Sequence, residues 1–176
     1  MKIGVVSDSH RDFEYLNRAI KIFQQEQVQL IIHLGDDYQD IGDTARGIKV
    51  VKVPGIYDPE YTLDSVPNRR VIELAGFKIL LTHSIQSNDK KTPATLSLME
   101  LAKKENAGVI FYGHTHIPSA EEKDGCIWLN PGHIKSDDKR GFPPSYALVS
   151  IEPGRIEMKI ININNQQEIT NYQKHI

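Results

Sequence analysis

Asp8 and His10 are separated by one residue, and so are His114 and His116; Asp36-Asp37, Asp58 and His83 lie between the two pairs. Aspartate oxygens and imidazole nitrogens together suit divalent ions such as Mn, Fe, Zn and Ni. No cysteine lies among them, which argues against a structural thiolate zinc site. Asp and His groups on separate loops can hold two ions if one carboxylate bridges. Two ions roughly 3.5–4 Å apart can activate a water and clamp phosphoryl oxygens during in-line displacement. Taken singly, the pieces say little. Asp-x-His is ordinarily a capping Asp with a surface His, Gly35-Asp36 is common turn chemistry, and His83 alone would be structural. Gly113-His114-Thr115-His116 is stronger, because two imidazoles around one residue after an apolar run are unfavourable without a purpose. The order of all four groups makes chance a poor explanation.

Something must bring these distant residues together, and each group follows a run that reads as a strand. Ile3 to Val6 precedes Asp8, Leu30 to Leu34 precedes Asp36, residues 49–53 precede Asp58, residues 77–81 precede His83, and residues 109–112 precede His114. In sheets fed by strand-to-helix loops the carboxyl ends of the strands form the binding edge. Phe13, Leu16, Ile20 and Phe23 recur at helical spacing. A short helix is expected over residues 39–46, and a longer one from Thr92-Pro93 to about Glu105, with a capping residue followed by proline. Ala75-Gly76, Asp124-Gly125 and Pro153-Gly154 are turn signals between apolar runs, so the last third reads as hairpins. The Asn- and Gln-rich segment after Ile163 reads as a weak edge strand or a frayed tail. Two sheets packed face to face with helices outside fit this order; the first half alone also fits an open doubly wound sheet.

With 176 residues, 39% apolar and 25% charged, the chain is expected to form one domain over residues 1–176 with a real core. A formal charge of −2 and only short basic pairs do not suggest a nucleic-acid partner. Ile3 to Val6 is too short for an export signal or a membrane span. Cys126, the only cysteine, is expected as a small core residue in a reducing cytoplasm.

Five stretches, Ser7-Asp8-Ser9-His10, His33-Leu34-Gly35-Asp36, Leu81-Thr82-His83-Ser84, Gly113-His114-Thr115-His116 and Asn130-Pro131-Gly132, run in an order that resembles the calcineurin-like metallophosphoesterase superfamily. Within it the likeness is to small bacterial and archaeal phosphodiesterases of the YfcE type. The resemblance implies an α/β four-layer αββα sandwich, with two mixed β-sheets flanked by helices. It implies that Asp8, His10 and His116 hold one divalent ion, that Asp36 bridges, and that His83 and His114 hold the second and serve catalysis. The expected cofactor is two divalent ions, with Mn preferred over Fe, Zn or Ni. A metal-bridging hydroxide would hydrolyse a small phosphate ester, in particular a phosphodiester. A homo-oligomer is compatible with exposed edge strands.

The pattern departs after the third strand. The family usually places Gly-Asn there, followed by His or Cys; here the stretch is Gly55-Ile56-Tyr57-Asp58. Ile56 cannot ligate a metal, and a tyrosine ordinarily titrates near 10, too high for a good general acid at neutral pH. Asp37, Asp58 and Glu60 are candidate substitute ligands, with Tyr57 as possible support. The alternative function is a catalytically weak Vps29-like scaffold for protein interaction. His33, inside a strand, reads as support for the ligands; Asn130 reads equally as support or as turn; His133 reads as a surface residue, and His175 carries no role.

Overall fold

The computed structural model describes residues 1–42, 44–85 and 97–175. Their order is β1 (Lys2–Val6), α1 (Phe13–Gln25), β2 (Leu30–His33), β3 (Thr44–Ala45), β4 (Ile48–Lys52), a 3₁₀ turn (Pro59–Thr62), β5 (Arg69–Leu74), β6 (Phe77–Thr82), α2 (Leu98–Glu105), β7 (Val109–Phe111), β8 (Ser119–Lys123), β9 (Cys126–Asn130), β10 (Ser145–Glu152), β11 (Arg155–Asn162) and β12 (Glu168–His175). One sheet has the strand order β12-β11-β10-β1-β2-β4-β3, the other β5-β6-β7-β9-β8. Both are mixed. β1, β2 and β4 are parallel neighbours in the first sheet, and β6, β7 and β9 in the second.

Three apolar clusters separate four layers. Ile3, Val5 and Ile32 on one sheet meet Ile79, Phe111 and Leu129 on the other in the central cluster. Ile31 and Val6, on the opposite face of the first sheet, pack with Leu16, Ile20 and Phe23 of α1. Leu80, Ile110 and Cys126 pack with Leu98 and Ala102 of α2. The alternation along β1 and β2 therefore feeds two cores, which is why their runs are apolar without a break. This is the expected αββα sandwich, and Cys126 is buried in it as expected.

Several local expectations are corrected. The expected helix over residues 39–46 is absent from the described part of that range, 39–42 and 44–46: Asp40 N–H closes a turn onto the Asp37 carbonyl, and β3 then pairs with β4 through Arg46-Gly47. Aspartate side chains and Gly42 compete with helical hydrogen bonding there; the Asp40 carboxylate accepts from Ser9 instead. The expected start at Thr92-Pro93 lies outside the described residues. The described helix opens at Ser97, where a capping box with Glu100 satisfies two backbone donors. Phe13, counted in the apolar stripe of α1, is 53% exposed at the first helical position. The segment after Ile163 supplies β12, an edge strand paired antiparallel with β11. Among the described residues no helix is long and apolar enough to cross a membrane.

Candidate metal centre

The loops after β1, β2, β6 and β7 are stitched to one another by their backbones. Asp8 N–H donates to Gly35 O at 2.9 Å, Ser9 N–H to Asp36 O at 2.8 Å and Gly113 N–H to His83 O at 3.0 Å. His114 N–H donates to Asp8 Oδ2 at 3.0 Å, which joins the two sheets. The turns are sharp. Asp8, His10, Asp36, His114 and His116 all have φ between 46° and 66°. Asp and His tolerate this left-handed region better than most residues, but each such residue costs on the order of 1–3 kcal/mol, and such conformations concentrate at functional sites. Close approach also requires glycine. A Cβ on Gly113 would run into Ser7 and Asp8, and one on Gly55 into the Asp36 carboxylate.

These turns gather two trios. Asp8, His10 and His116 present one donor atom each within 4.8 Å of one another, and so do Asp36, His83 and His114. In the first, His116 Nε2 lies 3.1 Å from Asp8 Oδ1 and 3.3 Å from His10 Nε2. In the second, His83 Nε2 lies 3.2 Å from His114 Nδ1 and 3.4 Å from Asp36 Oδ2. Asp36 Oδ2 is also 3.8 Å from His10 Nε2, so this carboxylate stands between the trios.

The far nitrogens indicate which atoms carry lone pairs. His83 Nδ1 donates to Leu34 O at 2.8 Å, leaving Nε2 free to accept. His116 Nδ1 lies between Asp138 Oδ1 at 2.8 Å and the donor Arg140 Nη1 at 2.7 Å, and its Nε2 faces the buried Asp8 Oδ1 at 3.1 Å. Lone pairs converging on one point repel unless a cation sits there, and an O/N donor set suits a divalent ion. Both trios fit one. Without an ion, protons compete for these atoms. Burial works against a charged His116, but Asp8 and Asp138 on either side raise its pKa. Burial pushes the Asp36 carboxyl up, against the pull of His83 and with Asp8 adding to the rise. Burial also raises the Asp8 carboxyl, but hydrogen bonding from His116 and the charge of His83 win and hold it low. Burial lowers the pKa of both His10 and His114, which favours the neutral, ligating form.

The candidate substitutes for the missing Asn stand around the second trio without joining it. Asp58 is buried and spends Oδ2 on Gly55 N–H at 2.6 Å and Tyr38 N–H at 3.0 Å, shaping the loop that Ile56 occupies. Glu60 accepts from Gln39 Nε2 at 2.5 Å, and Asp37 pairs with Arg11 Nε at 3.3 Å. Tyr57 is 87% exposed. A groove of about 220 Å³ runs between His10, Arg11, Asp36, Asp37, Tyr57 and Asp58.

Supporting residues surround the trios. His33 is fully buried and belongs to neither trio; its Nδ1 accepts from Gly35 N–H at 3.2 Å while Nε2 faces Ser9 Oγ and Asp40. Burial drives its pKa down to about 3, so it is neutral. Asn130 fills both of its readings: Nδ2 donates to Gly113 O and Thr115 Oγ1, and Oδ1 accepts from Gly132 N–H. His133 is a correction. It is fully buried rather than on the surface, with Nε2 on Phe142 O at 3.0 Å and its ring 5.5 Å from that of His116, because β9 delivers it inward beside the site. Asp138 escaped the sequence reading. In the charged stretch from Lys135 to Arg140 nothing separates it from a solvated surface acid, whereas in the fold its side chain is 3% exposed, held by Lys135 Nζ at 3.0 Å and by Arg140.

The sequence pattern described as the calcineurin-like phosphoesterase superfamily domain matches residues 1–154. Phosphodiesterase MJ0936 of Methanocaldococcus jannaschii is 28% identical over 152 residues, covering 75% of this chain and 83% of that protein. The solved structure of YfcE, a phosphoesterase from E. coli, superposes with a TM-score of 0.70 at 26% identity, covering 98% of both chains. Vacuolar protein sorting-associated protein 29 of Schizosaccharomyces pombe is 28% identical over 160 residues, covering 80% of this chain and 82% of that protein.

Proposed function

The chain belongs to the calcineurin-like phosphoesterase superfamily, and from that premise we propose that it hydrolyses phosphodiesters of small molecules with two divalent ions, Mn the expected metal. In this reading Asp8, His10 and His116 hold one ion, His83 and His114 the other, and Asp36 serves both. When bound, the ions acidify a water and draw charge from the phosphoryl oxygens. The protein's own part is to hold the His83 lone pair inward through Leu34 O, to fix the His116 ring through Asp138, and to bring the Arg11 guanidinium to the rim of the groove where an anionic phosphate would enter. His83 and His114, on the wall of the second trio, would face the developing charge. The observation that carries this reading is the convergence of acceptor atoms in both trios. Buried Cys126 is compatible with a reducing, cytoplasmic setting.

The test is metal content of the purified protein together with hydrolysis of bis-p-nitrophenyl phosphate after adding Mn. Two ions per chain and metal-dependent turnover are expected; Asp36→Ala should lose more than about a hundredfold in kcat. With exposed Tyr57 at the place where relatives of this family carry a leaving-group histidine, esters of acidic phenols should react much faster than alkyl esters of equal affinity. Ile56, which removes one ligand from the second trio's surroundings, favours a second reading: a metal-binding interaction scaffold. Tight metal binding without turnover across a broad ester panel would select it.

A further inference from the structure

Phe13 stands in the apolar stripe of α1, yet no core takes its ring. An exposed large apolar side chain beside a reactive groove is informative in a way that a buried one is not. Phe13 lines a second cavity, of about 320 Å³, with Tyr38 and Pro59. This cavity adjoins the groove beside the metal trios, because Arg11, Asp37 and Asp58 line both. Its acidic groups are engaged within the protein: Asp58 by two backbone N–H groups, Asp37 by Arg11, Glu60 by Gln39, and Asp40 by Ser9 and His33. The uncommitted surface of the cavity is mainly ring and proline carbon, with the Arg11 guanidinium at the junction and the engaged carboxylates in the same wall. Such a wall takes a flat uncharged group and disfavours an anionic one.

We propose that this cavity is the subsite for an uncharged aromatic substituent of the phosphate ester, an aryl ring or a nucleobase, with Phe13 as its principal contact and Arg11 marking the boundary to the phosphate. The assignment deepens the phosphodiesterase reading and rests on it. The test compares phenylphosphonate with methylphosphonate on the Mn-loaded protein, by calorimetric binding and by inhibition of bis-p-nitrophenyl phosphate hydrolysis. The parent should bind the phenyl compound about tenfold more tightly, the scale of one aromatic contact. Phe13→Ala should lose that preference while binding methylphosphonate like the parent, and Phe13→Tyr should keep it. A parent without the preference, or Phe13→Ala retaining it, overturns the subsite while leaving metal-dependent turnover intact. Absence of turnover together with no binding of either phosphonate overturns the phosphodiesterase reading and the subsite with it.

Discussion

Among single residues, Asp138 changes most between sequence and structure. Its carboxylate lies 2.8 Å from His116 Nδ1, beside Arg140 Nη1, and fixes the ring whose Nε2 faces Asp8. Burial would raise the Asp138 pKa, but Lys135 and His116 outweigh it and hold the carboxyl well below the usual carboxylate range. Partners that orient a ligand histidine are typically worth 10–100-fold in metal affinity. Asp138→Ala should therefore weaken one of two ions by about that factor, as read by chelator competition, with Asp138→Asn recovering part of it because the amide can still fix the same ring. Asp40 makes a different prediction. Burial pushes its carboxyl up to about 6 from an ordinary 3.8, with Asp37 and Asp58 adding to the rise and Ser9 opposing it. Between those values the unfolded chain has released a proton that the folded one retains, so the stability contributed by Asp40 is present below about 3.8 and lost as pH rises through about 6. Asn mimics the protonated acid. Melts of metal-free Asp40→Asn should gain on the parent by a few degrees between pH 4 and 7, and an offset independent of pH would contradict the shift.

At the scale of elements, the loops after parallel strands do the positioning. The loops after β1, β2 and β7 leave their strands through a left-handed residue that is itself a candidate ligand (Asp8, Asp36 and His114), so the backbone bend and the side-chain delivery are one event there. Their packing is tight enough that a methyl group matters. In Gly113→Ala the added Cβ would sit 2.8 Å from Asp8 Oδ2 and closer still to Ser7 Oγ. Overpacking of this kind costs about 1–3 kcal/mol. Thermal melting should show that loss, and metal content should fall as well, because Asp8 must move. The same change at Gly76, where a Cβ would meet nothing within 4 Å but φ is +87°, should lower stability and leave metal content untouched.

On the scale of the whole molecule, each trio draws from both sheets. Asp8 and His10 follow β1 of one sheet and His116 follows β7 of the other; Asp36 follows β2, while His83 and His114 follow β6 and β7. Ions seated there would staple the two halves of the sandwich across the central cluster at its binding edge. A ligand that binds only the folded state stabilises it by about 2.7 kcal/mol at a hundred times its Kd. Removing metal with a chelator should accordingly lower the melting temperature by several degrees, and Mn should restore it in a concentration-dependent way. An unchanged melt would mean that the trios hold no ion worth that much.

The apolar runs and the Asp and His that close them are local facts, and the strand positions and the edge on which the trios lie were legible from them because buried parallel strands need continuous apolar sequence; the runs alone also fitted an open doubly wound sheet, and only the resemblance carried by the order of the five motifs implied the αββα layering. Residues 39–46, the inward turn of His133 and the use of Asp138 were not. Each depends on a partner outside its own local segment: Ser9 for Asp40, Phe142 and the His116 ring for His133, and His116 for Asp138. A sequence states which side chains can accept a proton or a cation; which nitrogen faces inward is decided by the atom on its other side, and only folding supplies that atom.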